Sequence, residues 1–202
     1  IYAYATETFT YFDLTTPNNV RITSIVNHIL QDKDGNLWFS TNGQGLFRYN
    51  LSKNYLEQYE FTSAFGIVAS TMADSDNQIW ALTNQGESGV YKLNKAENKF
   101  EPFGLLYNAG NHHSQALAML EDSEQTLWLG TWECGLQKID KYTRQTTTYL
   151  HPTDGKGVTH IHSLMEYAPH QLLIGSDDGL LLFNTLTEEY KLFTENETVP
   201  NS

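Results

Sequence analysis

Four histidines and two acidic stretches are the residues most able to do chemistry. His160 and His162 are one residue apart, and His112 and His113 are adjacent. Residues i and i+2 of an extended strand project from one face, so His160 and His162 would present two imidazoles together. If the loops around His112 and His113 open on the same side, three or four imidazoles approach one point, an arrangement suited to a metal or a general base. No acidic residue stands at a zinc-like spacing from them, and the plainer alternative is polar side chains in solvated loops. Asp32, Asp34 and Asn36 imitate the start of an EF-hand loop. That loop requires Gly at its sixth position and Glu at its twelfth, where this sequence has Leu37 and Gly43. A tight β-turn at Asp34-Gly35 joining two alternating strands accounts for the same residues. Finally, Trp132 beside Glu133 suits stacking on a sugar ring, with a carboxylate to accept from hydroxyls. A rim residue touching its neighbour is the alternative for Trp132.

Composition bounds what these residues can serve. The 202 residues are 40% hydrophobic and 13% aromatic, enough for a packed core. No apolar run approaches the roughly 18 residues of a spanning helix, and the start does not read as a secretory leader, so a soluble segment is expected. A net charge of −12 argues against nucleic acid or an anionic membrane surface as partner, since both require clustered cations. The single cysteine, Cys134, permits neither an internal disulfide nor a cysteine-based zinc cluster.

The elements that must position these side chains appear when the chain is laid against itself. "IVNHILQDKDGNLWFSTNGQGLFRYN" (25–50) aligns with "VASTMADSDNQIWALTNQGESGVYKLN" (68–94), "QALAMLEDSEQTLWLGTWECGLQKID" (115–140) and "IHSLMEYAPHQLLIGSDDGLLLFN" (161–184). Trp38, Trp80, Trp128 and Leu173 occupy one position at spacings of 42, 48 and 45 residues, followed by Gly45, Gly89, Gly135 and Gly179. A fourth strand closes each unit: "YLEQYEF", "KFEPF", "TTTYL" and "EYKLF". Four short strands per unit at this period are the signature of a β-propeller. An apolar first strand would lie nearest the axis, and the recurrent Trp would pack between blades that cannot bury both faces alone. The repeated glycines are turn residues.

The fold class expected is therefore all-β, a single partial propeller over 1–202 of about four and a half four-stranded antiparallel blades. A half blade is expected at 1–12 and full blades at approximately 20–61, 66–103, 112–150 and 158–194. "TVPNS" at the end resembles "TTPNN" (15–19), the linker before the first full repeat, so the chain would stop where another blade begins. Unpaired edges at both ends predict self-association, or a homodimer, through those edges.

"TPNNVRITSIVNHI" followed by "LQDKDGNLWFSTNGQGLFRYN" closely resembles the two-component-regulator propeller repeat of periplasmic sensors in hybrid two-component systems, especially those of gut Bacteroidetes. The resemblance weakens in the second repeat, where Asn77 replaces Gly35, and is weakest in the fourth, which lacks the Trp. It implies a membrane-anchored histidine kinase as parent, with its propellers outside the inner membrane and responding to glycans or their breakdown products. It also implies that this segment neither catalyses, binds DNA, contacts the membrane, nor carries a cofactor or metal. Sialidases carry a related Asp box, but only its aromatic spacing agrees, and Arg21, Arg48 and Arg144 are not placed to converge on a carboxylate. Streptogramin lyases share a "DGNLWF"-like signature and need a central His, a carboxylate and magnesium, which makes them the better enzymatic alternative. No catalytic residue is assigned. A carbohydrate or other small ligand is expected to meet the turns between second and third strands, namely Asn42 and Gln44, Gln85 and Glu87, Trp132 and Glu133, Asp177 and Asp178. The loop histidines His112, His113 and His160 join them. Trp132 is the favoured contact because it has no counterpart in the other repeats.

Overall fold

The computed structural model describes residues 2–3, 5–9, 14–61, 66–83, 89–105, 115–151 and 157–193. Among these, every regular element is a β-strand. Tyr2–Ala3 (β1) pairs antiparallel with Thr8–Phe9 (β2). Four antiparallel meanders of four strands follow. The first contains Val26–Gln31, Leu37–Thr41, Leu46–Asn50 and Tyr55–Tyr59 (β3 to β6). The second contains Val68–Ala73, Ile79–Thr83, Gly89–Asn94 and Lys99–Leu105 (β7 to β10). Ala116–Glu121, Leu127–Thr131, Leu136–Ile139 and Thr146–Tyr149 (β11 to β14) form the third. Ile161–Ala168, Gln171–Ser176, Gly179–Asn184 and Tyr190–Phe193 (β15 to β18) form the fourth. The first strands β3, β7, β11 and β15 neighbour one another in that order. This is the blade stacking expected of a propeller, with one blade per sequence repeat.

Three cores lie between consecutive sheets, each formed by the facing sides of two neighbours. Trp38 packs forward into the second sheet with Ile79, Ala81, Tyr91 and Leu93. Trp80 does the same against Leu127, Leu129 and Ile139, and Trp128 against Leu172, Ile174, Leu181 and Phe183. All three indoles are at most 1% exposed. The first sheet's other face is covered by Leu14, Val20 and Ile22 from the segment that precedes it.

A buried indole N–H needs an acceptor, and an Asp six residues upstream supplies it. Asp32, Asp74 and Asp122 each turn Oδ2 to the Nε1–H of Trp38, Trp80 and Trp128 at 2.8, 2.9 and 2.7 Å. Their Oδ1 atoms accept from two backbone amides of the connecting loop, as at Asp34 N and Asn36 N. The connection expected as a tight two-residue turn at Asp34-Gly35 is thus a five-residue loop built around Asp32. Gly35 enters it at φ 80. A cation lies over each indole, supplied by the residue paired with the Trp across the sheet. Arg48, Lys92 and Lys138 lie 5.5, 5.1 and 5.8 Å from the ring centroids.

In the fourth sheet the whole device is replaced. Tyr167, Leu173 and Leu182 stand where the Asp, Trp and cation would be. There β15 runs on to pair Ala168 with Gln171, closing the connection by backbone pairing alone. A carboxylate has no indole to meet, and the three residues are lost together.

Candidate functional site

Two local departures from regular β-geometry build the site. Every first strand carries a register shift near its start, between Val26 and His28, Val68 and Ser70, Ala116 and Ala118, and Ile161 and Ser163. Each shift leaves one extra residue, namely Asn27, Ala69, Leu117 or His162. A bulge of this kind re-aims the side chain it carries. The turns between second and third strands are held by a hydroxyl at the strand end. Thr41, Thr131 and Ser176 donate to the carbonyls of Gly45, Gly135 and Gly179. Those three glycines have φ of 75, 67 and 118, whereas Gly89 opens β9 beside Thr83.

At the junction of the third and fourth sheets these features bring four candidate side chains together. Asp177, in the turn before β17, receives His160 Nδ1 at 2.5 Å and His162 Nε2 at 2.7 Å, one on each carboxylate oxygen. The ring of Trp132, from the corresponding turn of the third sheet, lies 3.7 Å centroid to centroid from His160, tilted by 32°. His162 meets the same indole edge-on at 6.4 Å. Hydrogen bonds from His160 and then His162 hold the Asp177 carboxyl below the usual carboxylate range. Trp132 keeps 40% of its surface exposed, and Asp177 about half of its side chain.

The two imidazoles do converge, but not through strand alternation as the spacing suggested. His160 precedes β15 with φ 45, and His162 is the bulge residue. The irregular backbone, not the period of two, points both at Asp177. For Trp132, both expectations have a physical counterpart. One part of its surface packs on the next sheet's His160, and the remainder faces solvent.

The other expected residues divide sharply. Gln44 is occupied within the fold: its Oε1 accepts from Thr23 N and Ser24 N, both at 2.7 Å, and its Nε2 donates to Arg21 O at 3.0 Å. Asp178 plays the same part in the fourth sheet, accepting from the amide and hydroxyl of Thr159 at 2.8 and 2.9 Å. Both are latches on the incoming segment. Asn42 bridges to Ile67 of the next sheet, and its amide donates to Ile25 O. Glu133 is exposed at φ 71 beside Trp132. Gln85, Glu87, His112 and His113 lie outside the described residues. Among the described residues no group of three or more His, Cys, Asp and Glu is arranged to hold a metal ion.

Two groups escaped the sequence reasoning. One is the Asp six residues before each Trp, whose recurrence is the signal that could have revealed the buried clamp. Lys141 was not marked by any pattern. It is 7% exposed and joins Glu121 to Asp74, the latter at 3.6 Å. Burial pulls its pKa down, but the hydrogen bond to Glu121 and the two negative charges outweigh this and raise it.

Meandering four-stranded sheets joined face to face through clamped tryptophans, with irregular rim turns at the starts of the inner strands, define the chain as a β-propeller. Residues 19–43, which contain the first two strands of the first complete repeat, match the family model described as two component regulator propeller. The chain is 26% identical over 189 residues to Histidine kinase P4 of Formosa agariphila, which covers 89% of this chain and 13% of that protein. It superposes on the extracellular domain of a putative hybrid two component system from B. thetaiotaomicron with a TM-score of 0.69 at 20% identity, over 91% of this chain and 25% of that one. Virginiamycin B lyase from Staphylococcus aureus superposes with a TM-score of 0.71 at 16% identity, over 95% of this chain and 61% of the lyase.

Proposed function

We propose that this chain is a ligand-sensing propeller module of a hybrid two-component sensor histidine kinase, held outside the cytoplasmic membrane and responding to a glycan or oligosaccharide. The repeat match and the kinase relative support the kind of parent protein. One observation carries the ligand site: Trp132, His160, His162 and Asp177 come together at the junction of the third and fourth sheets. At the junction of the first and second sheets, the same rim positions hold Asn42, Ile67 and Ala69. An indole, two imidazoles and a carboxylate suit a ligand with an apolar ring face and many hydroxyls.

The module performs no chemistry of its own. A ligand spanning the two sheets favours one arrangement of a pair of propellers over another and so biases a downstream two-state element. This requires unequal affinity for the two arrangements. The lyase alternative has no observation specific to it, because likeness at 16% identity is likeness of fold. His160 and His162 also both turn their near nitrogens to Asp177.

A thermal-shift screen of neutral oligosaccharides at millimolar concentration tests the proposal. A hit should be lost in Trp132→Ala and weakened about tenfold in His162→Ala, equivalent to about 1.4 kcal/mol. A flat screen, or a hit indifferent to Trp132, leaves the rim without a ligand role.

A further inference from the structure

The chain has 24 acidic residues against 12 basic ones, yet one groove on its outer side reverses that balance. The groove lies where β9 and β10 of the second sheet meet the hairpin turn between β13 and β14 of the third. Its volume is about 520 Å³, within the roughly 300–1,000 Å³ typical of small-ligand sites. Lys92, Lys95, Lys141 and Arg144 line it, with Phe103 and Tyr142.

Lys141 is neutralised from within by Glu121 and Asp74. Lys92, Lys95 and Arg144 form no ion pair with a carboxylate among the described residues. Lys92 Nζ and the Arg144 guanidinium are instead held 6.0 and 5.1 Å from the centroid of the Phe103 ring, so two cations share one buried aromatic. Glu101, the carboxylate in the lining, accepts from Asn94 Nδ2 at 3.0 Å and lies 3.7 Å from Lys99 Nζ. Cations gathered around one ring repel each other, and a bound anion relieves that repulsion. At the mouth Tyr142 is 83% exposed and offers a flat face.

The geometry points to a binding site for an acidic oligosaccharide, with uronate or sulfate groups on Lys92, Lys95 and Arg144 and a sugar ring on Tyr142. The sugar part rests on the sensing function proposed above, while the need for negative charge stands on the groove alone. None of its residues belongs to the Trp132 rim.

Calorimetry on the whole chain at low salt tests this, using trigalacturonate, a sulfated disaccharide, maltotriose and sodium sulfate as probes. An acidic oligosaccharide should bind, weaken as salt rises, lose about tenfold in Lys95→Glu and several-fold in Tyr142→Ala. Trp132→Ala should leave that binding unchanged. Lys95 is exposed in a turn, and an unchanged circular dichroism spectrum verifies folding of its variant. Absence of heat with both acidic sugars, or equal binding by wild type and Lys95→Glu, overturns the groove site. If maltotriose alone binds and Trp132→Ala abolishes it, the sensing function stands and the groove proposal falls. Sodium sulfate binding as tightly as the acidic sugars overturns sugar recognition at the groove.

Discussion

Asp122 binds two loop amides and the indole N–H of Trp128 through one carboxylate, and this concentration of partners makes it expensive to remove. Asp122→Ala leaves those donors to find other acceptors, at an expected cost of about 2–4 kcal/mol in urea unfolding. In a Trp128→Leu background the same change should cost about 1 kcal/mol less, because one of its donors is already gone. Equal costs in both backgrounds would contradict the clamp, which the fourth sheet shows being lost as a unit. Asp177 differs because it is exposed and its own carboxyl is the group whose pKa is displaced. Its folded pKa lies below the ordinary 3.8 through hydrogen bonds from His160 and His162. The stabilisation is therefore present above that ordinary value and is lost as pH falls through the lowered one. Asp177→Asn should melt below wild type at about pH 6, and the gap should close as the pH is taken toward 2. A gap independent of pH would mean that Asp177 acts through packing.

At the scale of the element, the recurrent glycines are not equivalent. Gly35 sits at φ 80 with open space where a Cβ would go, whereas at Gly45, φ 75, a Cβ would stand 2.3 Å from the Tyr59 carbonyl oxygen. Gly35→Ala should cost about 1–2 kcal/mol of backbone strain. Gly45→Ala adds overpacking against backbone that cannot move aside, and should cost at least about 2 kcal/mol more. Denaturant midpoints of the two variants read this directly, and similar values would mean the third strand can shift. Strand order was legible in the sequence because the period of two and the landmark Gly survive in each repeat, and the Trp in the first three. Bulges were not legible: they arise from a mismatch in length between paired strands, and no residue type at Asn27, Ala69, Leu117 or His162 announces one. That is why His160 and His162 were paired for the wrong reason.

Across the whole molecule, three sheet faces are covered by the next sheet, while the fourth sheet presents Met165 and Leu180 at 60% and 38% exposure. Leu173 and Leu182 stand on the same sheet in place of a Trp and its cation, which adds to the apolar character of this surface. The chain should self-associate through it, with a mass by light scattering that rises with concentration and falls back to monomer in Leu180→Lys. A monomer at every concentration would set this aside.

The propeller class, the one-blade repeat and the packing role of Trp38, Trp80 and Trp128 are readable from the residues alone, because they depend on a periodic pattern carried within a single unit. The sequence also marked Trp132 as a residue that breaks the pattern. What Trp132 meets, the latch roles of Gln44 and Asp178, the joining of two histidines by Asp177, and the sharing of Phe103 by Lys92 and Arg144 emerge only from the folded arrangement. Each of these depends on the stacking of one sheet against the next. Residues far apart in the chain are brought within hydrogen-bond distance by an inter-sheet offset that no single repeat encodes.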